Sequence, residues 1–131
     1  MNFTAKLFLV IGALSALLSI VLGTIAAHVP NENLQAAMHW FNTGMQYHQF
    51  HSLALMLVGL LAAYWPSRWF SIAGVLMIVG TLLFVGNLYL RSMLGIHDFH
   101  ALTPYGGWAY LGGWLALVLG VILQRAGFRQ L

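Results

Sequence analysis

The sequence predicts an all-α integral membrane protein, a bundle of four transmembrane helices. Three observations predict this fold class. Charged residues make up only 5% of the 131 positions and hydrophobic residues 61%, whereas an average soluble domain is roughly 25% charged. The apolar residues also fall into four long stretches, each near the ~20 residues that cross a ~30 Å hydrocarbon layer. Helices are expected because an open sheet edge leaves backbone groups unsatisfied in lipid.

The four predicted spans are joined by connectors without a hydrophilic linker, so we expect one domain over residues 1–131. The second span is expected to end at a Pro66-Ser67 turn, because proline does not continue a helix. Pro104 is expected in the first turn of the fourth span, where an N–H group has no partner within the helix. The spans cover about residues 7–27, 43–65, 69–90 and 104–124.

The connector between the first two spans predicts a short interfacial helix. Asn31 or Asn33 can cap it. Its apolar residues recur at helical spacing, and they are Leu34, Met38 and Phe41. Trp40 is a residue type enriched at the membrane–water boundary. We therefore expect this helix to lie flat on the membrane surface.

The basic residues predict the orientation. On one side of the four alternating spans lie Lys6, Arg68, Arg125 and Arg129, and on the other lies Arg91 alone. The positive-inside rule then places both termini in the cytoplasm. An alternative is that the first span is a cleaved signal peptide, but its apolar run is longer than the ~7 to 15 residues of such a peptide.

Small residues at intervals of three and four predict close helix packing. These stripes are Ser15, Ser19, Gly23 and Ala27 in the first span and Ala109, Gly113, Ala116 and Gly120 in the fourth. Small side chains allow two backbones to approach, so the stripes need no ligand to explain them.

Composition also excludes several functional classes. The chain has no cysteine, which rules out disulfides, thiolate metal sites and cysteine nucleophiles. Five basic and two acidic residues are too sparse for a nucleic-acid surface. The sequence lacks a Ser-His-acid catalytic set with a nucleophile elbow around the serine. It also lacks a phosphate-binding glycine loop followed by lysine. We expect neither an enzyme nor a bound cofactor.

Polar residues concentrate at the outer ends of the spans and predict a pocket there. Polar groups at membrane depth are costly, so they are functional candidates by default. The candidate ligand-binding residues are His28, Tyr47, His51, Asn87 and Arg91. The expected pairs are His28 with His51 and Arg91 with Asp98.

Three uses of this cluster remain open. The imidazoles and Arg91 can bind a proton or an anionic ligand. The same groups can instead form a hydrogen-bond network between helices, which is the commonest role of such residues and the one we favour. A zinc-like set would consist of His28, His48, His51 and Glu32 or Asp98, but the spacing of these residues is common and weak support for a metal. No metal site is therefore predicted.

Four segments, in order, resemble the YgdD/YwdK family of small bacterial membrane proteins. The first, Gly23–His28, is similar to that family's Gly-Ala-Phe-Gly-Ala-His. The second matches a Tyr-Gln-x-x-His-x-Leu-Ala segment at Tyr47, His51, Leu53 and Ala54. The others are Gly80–Tyr89, similar to Gly-Thr-x-x-Phe-Ser-Gly-Ser-Leu-Tyr, and Thr103–Gly107 with Gly113-Trp114, similar to Thr-Pro-x-Gly-Gly and Gly-Trp.

The resemblance covers essentially the whole chain and implies a four-helix protein of the bacterial inner membrane, in a family without an assigned activity. It brings no catalytic residue. His28, Tyr47 and His51 match the family segments, whereas Asn87 stands where the family carries Ser. Arg91 stands where an apolar residue is usual. Outside the family segments lie His48, His97 and His100.

The function expected from these features is binding, or transport, of a small polar or anionic ligand or a proton in the outer pocket. The alternative is a non-catalytic accessory or scaffold subunit of a larger membrane complex, which predicts that His51 can be replaced without effect. Membrane lipid is an expected partner. Four short helices rarely enclose a pathway alone, so transport also predicts a homo-oligomer.

Overall fold

The computed structural model describes residues 1–65 and 67–124, and this part of the chain is helical without any strand. The α-helices are α1 Phe3–His28, α2 Glu32–Ala36, α3 Met38–Tyr64, α4 Arg68–Gly80, α5 Gly86–Met93 and α6 Thr103–Ile122. A π-helical segment, Thr81–Val85, joins α4 to α5, and a 3₁₀ turn, His100–Leu102, leads into α6. The predicted all-helical fold is confirmed.

Three helical stretches among the described residues are long and apolar enough to cross a membrane. They are α1, the α4–α5 rod over residues 68–93, and residues 100–122. The second predicted span corresponds to α3, which has 27 residues. Its first half carries Gln46, His48 and His51, which lower its mean hydropathy, and α3 is not among the three. The count of four spans therefore stays a prediction.

The helix ends are set by local caps. The Asn2 side chain accepts a hydrogen bond from the Ala5 backbone N–H at 2.7 Å, which explains why α1 begins earlier than the apolar run alone predicts. Pro104 lies in the first turn of α6, as predicted. Ser67 caps α4, while Pro66, the other half of the predicted turn, lies outside the described residues.

The connector after α1 differs from its prediction. The helix α2 has only five residues and is capped by Asn31. A break at Ala37 follows, and α3 then starts at Met38. Phe41 therefore belongs to the first turn of α3, where it is buried with its ring 5.6 Å from that of Tyr89. This burial extends α3 beyond the predicted start, and the interfacial position of α2 stays a prediction.

The first pair of packed helices is α1 and α3, which run antiparallel. A Cβ added at Gly12 would lie 2.9 Å from the Ser52 carbonyl oxygen, and one added at Gly59 would lie 3.1 Å from the Ala5 carbonyl oxygen. Of the predicted small-residue stripe in α1, Ser19 is buried and Ala27 is exposed. Glycine rather than the serines thus sets the closest approach.

The second antiparallel pair is the α4–α5 rod and α6. A Cβ at Gly113 would lie 3.3 Å from the Ala73 carbonyl oxygen, and one at Gly120 would lie 2.6 Å from the Phe70 ring. Gly113, Ala116 and Gly120 are all buried. The predicted packing role of this stripe is confirmed at these three positions.

The apolar core lies in one half of the bundle. It contains Phe8, Val58, Phe70 and Met77, none more than 2% exposed. The other half ends in the connectors 29–37 and 94–102, and the Asn31 amide in the first of these donates to the Met93 carbonyl at the end of α5. We call this the connector end. The buried polar side chains of α3 and α5 lie between the core and the connector end.

Candidate functional site

Two buried histidines lie one turn apart in α3. His48 is 2% exposed and His51 is 4% exposed. A polar ring buried among helices requires hydrogen-bond partners. The partners of the two rings come from different helices, so each ring has its own surroundings.

His51 is held through both ring nitrogens. Its Nδ1 lies 2.9 Å from the Tyr47 carbonyl oxygen, so Nδ1 carries the hydrogen and donates it. Its Nε2 accepts the indole N–H of Trp114 at 3.1 Å. The Tyr110 ring stacks on the imidazole with 3.5 Å between centroids and 11° between planes. These contacts select one neutral tautomer and leave no nitrogen lone pair for a metal or a substrate proton.

The stacked Tyr110 is itself fixed at the start of the π-helical segment. Its hydroxyl lies 2.8 Å from Thr81 Oγ1. Thr81 donates its own hydrogen to the Met77 carbonyl at 2.9 Å, so the Tyr110 hydroxyl donates to Thr81. The Tyr110 ring packs against Gly80, at a place that a Cβ would occupy. π-Helical turns within α-helices are frequent at functional sites.

A cavity of about 690 Å³ opens beside His51, between α3, the π-helical segment and α6. Its walls are mainly aromatic, and the rings are those of Tyr47, Phe50, Phe84, Trp108, Tyr110 and Trp114. Gln46 adds an amide. Within the part of the chain that the structure describes, no charged side chain lines this aromatic cavity.

His48 belongs to a chain of hydrogen bonds that joins α1, α3 and α5. Ser52 Oγ donates to the His48 carbonyl at 2.7 Å, so it accepts from Ser15 Oγ, also at 2.7 Å. Ser15 then accepts from His48 Nε2 at 2.9 Å. This leaves His48 Nδ1 to accept from the Tyr89 hydroxyl at 2.7 Å. All four side chains thus share one consistent direction of donation.

A second cavity, of about 360 Å³, lies on the α1 side of α3. Its polar wall includes Ser15, His48 and Tyr89, and most of the remaining lining residues are leucines and isoleucines. His51 contributes to the walls of both cavities. Both histidines thus border the second cavity, and His51 also borders the aromatic cavity.

Comparison with known proteins assigns a family. A family model described as a protein of unknown function, DUF423, matches residues 22–107. The UPF0382 inner membrane protein YgdD of Escherichia coli (strain K12) is 33% identical over 126 residues, which cover 95% of this chain and 96% of that protein. The UPF0382 membrane protein YwdK of Bacillus subtilis is 37% identical over 129 residues, covering 89% of this chain and 97% of that protein. This chain belongs to the UPF0382 (DUF423) family.

Membership confirms the resemblance predicted from the sequence, and it makes the chain a membrane protein of an uncharacterised family. No solved structure matches this UPF0382 chain. The region matched by the family model includes α3, the π-helical segment and the first turn of α6. These elements build much of the wall of the aromatic cavity.

The structure places the predicted site residues of this UPF0382 protein in separate surroundings. Tyr47 and His51 line the aromatic cavity. Asn87 is buried and donates to the Leu83 carbonyl. Arg91 lies over the Trp40 ring, and His28 is exposed beside a third cavity of about 310 Å³. Ligand binding by these residues stays a prediction.

The two expected pairs do not form. Both nitrogens of His51 have partners other than His28. Asp98 is exposed and makes no ion pair with Arg91. The described residues also contain no cluster of three or more His, Asp or Glu side chains that could hold a metal.

Sequence reasoning missed four residues of the site. They are Thr81, Phe84, Tyr110 and Trp114. Each lies inside an apolar stretch, where an aromatic or threonine side chain is unremarkable. A signal existed for three of them, since Thr81, Phe84 and Trp114 fall within the segments that resemble the UPF0382 family. Nothing in the sequence distinguished Tyr110.

Proposed function

We propose that this UPF0382 chain crosses the bacterial inner membrane four times, with both termini in the cytoplasm. The Escherichia coli relative is named an inner membrane protein. The helix α3 has the length of a span and packs antiparallel to α1. Lys6 and Arg68 lie at the end opposite Arg91, which supports the orientation. Arg125 and Arg129, which also entered that prediction, lie outside the described residues.

Cysteine labelling tests this topology, because the native chain has no cysteine. Single cysteines are placed at four exposed positions near helix ends, namely Phe3, Val29, Tyr64 and Phe99. In intact cells, we expect a membrane-impermeant maleimide to label the cysteines at 29 and 99. Those at 3 and 64 should react only after permeabilisation. Labelling of 64 together with 29 in intact cells would mean that α3 does not cross the membrane.

The aromatic cavity is the proposed binding site, and its ligand is a small, uncharged, largely apolar molecule. The observation that carries this proposal is the fixed wall of His51, Tyr110 and Trp114 beside about 690 Å³ of space. Ligand pockets of about 300–1,000 Å³ are typically apolar with a few placed polar groups. A wall held by hydrogen bonds keeps its shape without the ligand, which lowers the entropic cost of binding.

The chemistry of the cavity favours an uncharged ligand over the anion or proton considered from sequence. Arg91 does not line the cavity, and the described lining offers no other cation. Both nitrogens of His51 are already hydrogen-bonded. We propose a non-catalytic role for the same reason, since the best-placed base has no free lone pair. Transport of the bound molecule is an extension of this proposal.

Filling the cavity tests the binding proposal. Gly107 lines the cavity, and a Cβ added there meets no atom of the described residues within 4 Å. Gly107→Leu should therefore fold normally while its side chain occupies the site. We expect at least a tenfold loss of any small molecule that native mass spectrometry finds bound to the wild type in mild detergent.

The matched control is Gly23→Leu, in α1 away from the cavity. Within the described part of the chain its one close neighbour is the flexible Met45 side chain, 3.7 Å from the added Cβ. It makes the same Gly-to-Leu change within a helix, so it should retain the bound molecule. Equal occupancy in wild type and Gly107→Leu would refute binding at this cavity.

The second candidate function is that of an accessory subunit, in a homo-oligomer or a larger membrane complex. The observation that favours it is the exposed rim of the cavity, where Trp108 is 69% exposed, Leu111 63% and Phe50 58%. Large exposed aromatic groups suit a partner helix as well as lipid. A preparation that contains another membrane subunit and no small molecule would favour this alternative.

A further inference from the structure

Arg91 is a cation without a counter-ion. Across residues 1–65 and 67–124, its guanidinium makes no hydrogen bond and no ion pair, and its Nε is buried without a partner. A guanidinium carries five N–H donors and a permanent charge. Leaving its charge without a hydrogen-bond partner in the protein is unfavourable, and the side chain is only half-buried, so an external partner is expected.

The Arg91 side chain is nevertheless held in one place. The guanidinium carbon lies 3.8 Å above the centroid of the Trp40 ring. His97 packs against the same indole edge-on, with 5.9 Å between centroids. A cation over an aromatic face is attracted by the ring but keeps its charge. Of the three guanidinium nitrogens only Nε is buried, so the two terminal nitrogens remain available while the face of the group is covered.

With the four-span topology proposed above, on which this inference rests, the group lies at the border of the hydrocarbon layer. Arg91 lies in the last turn of α5, two residues before its end at Met93. Trp40 is a residue type that concentrates at membrane–water interfaces. The dipole of α5 favours a cation at this end but provides it with no bidentate partner. The acid closest in sequence, Asp98, is exposed and unpaired with it.

We propose that Arg91, supported by Trp40, binds a phosphate group at the connector end of the bundle. A planar guanidinium matches two phosphate oxygens with two parallel N–H···O bonds. The phosphate can belong to a phospholipid headgroup, which lies at this depth in a bilayer, or to a free anion. This site is separate from the aromatic cavity, and its failure leaves the cavity proposal intact.

Lipid titration tests the proposal with the full chain in mild detergent. Native mass spectrometry measures binding of dioleoyl phosphatidylglycerol to the wild type, Arg91→Gln and Arg68→Gln. We expect Arg91→Gln to bind about tenfold more weakly, because it loses one bidentate ion pair. Arg68→Gln should bind like the wild type, since Arg68 is exposed at the opposite end.

A second arm identifies the source of the phosphate. The thermal midpoint is measured in sodium phosphate and in sodium chloride of equal ionic strength. A thermal midpoint that is higher in phosphate than in chloride for the wild type, but not for Arg91→Gln, supports the site and indicates that it binds a free anion. If binding of phosphatidylglycerol depends on Arg91 while phosphate leaves the thermal midpoint unchanged, the site is supported and its ligand is a lipid headgroup.

Two outcomes would overturn the site. In the first, the wild type and Arg91→Gln bind phosphatidylglycerol equally well, and phosphate shifts the thermal midpoint of both proteins to the same extent or not at all. The other is an equal loss in Arg68→Gln, which would indicate attraction to overall charge. If Arg91→Gln does not fold, Arg91→Lys replaces it, because lysine keeps the charge and lacks the planar fork. Wild-type binding by Arg91→Lys would then refute bidentate recognition.

Discussion

Replacing Gly106 with Ala should destabilise the protein by about 3 kcal/mol or more, the upper range for overpacking in a close-packed interior. The new Cβ would lie 2.5 Å from the backbone nitrogen of Phe84, 2.8 Å from its Cβ and 2.9 Å from the carbonyl carbon of Leu83. Two of these atoms belong to the backbone of the π-helical segment, and the third, a Cβ, is fixed by that backbone, so none of them can rotate away. The thermal midpoint in detergent, followed by tryptophan fluorescence, measures the loss.

The adjacent Gly107 provides the control. Gly107→Ala makes the same chemical change one residue further along α6, but across residues 1–65 and 67–124 its Cβ meets no atom within 4 Å. Alanine also has the higher helix propensity by about 1 kcal/mol. Gly107→Ala should therefore unfold at the wild-type temperature or slightly above it. Similar midpoints for the two variants, whether high or low, would show that α6 does not approach the π-helical segment at Gly106.

The positions of the helices could be predicted because each depends on neighbouring residues. Apolar length located α1, the α4–α5 rod and α6, and Pro104 located the start of α6. The start of α3 could not be found in this way. Phe41 has the spacing of a surface helix, and only its burial against Tyr89, 48 residues later in the chain, assigns it to α3.

The π-helical segment could not be predicted from the sequence either. Thr81–Val85 reads as ordinary apolar helix. Two contacts with α6 accompany the changed pitch, the Tyr110 hydroxyl on Thr81 and the Gly106 backbone against Leu83 and Phe84. Both depend on the register between two helices, and a single sequence carries no direct signal of that register.

The candidate site was predicted in part for the same reason. His51 could be predicted as a site residue because an imidazole in an apolar span needs a partner. Its partner Trp114 lies 63 residues away and was not predicted. His48 and His51 share a helical face in sequence and suggested a joint site. The two rings have different hydrogen-bond partners in the structure. His48 is hydrogen-bonded to α1 and α5, whereas His51 is hydrogen-bonded to α6 and to its own helix.

Replacing His48 with Leu should cost about 2 kcal/mol of stability, from two lost hydrogen bonds at membrane depth. Leucine occupies a similar volume, so the loss reports the polar contacts more than a cavity. Ser15 loses its donor and Tyr89 loses its acceptor. The thermal midpoint should fall, and His39→Leu, at an exposed position in the first turn of the same helix, should leave it unchanged.

A double-mutant cycle with Tyr89→Phe decides whether the chain of hydrogen bonds is the cause. In the wild type, Tyr89→Phe removes the hydroxyl that donates to His48 Nδ1 and should cost about 1 kcal/mol. In the His48→Leu background the acceptor is already gone, so the same change should cost much less. Residues joined by one hydrogen bond are expected to be non-additive in this sense. Additive losses would mean that His48 and Tyr89 stabilise the bundle independently, as packed rings rather than as a bonded pair. The chain through Ser15 and Ser52 would then hold α1 to α3 without involving α5.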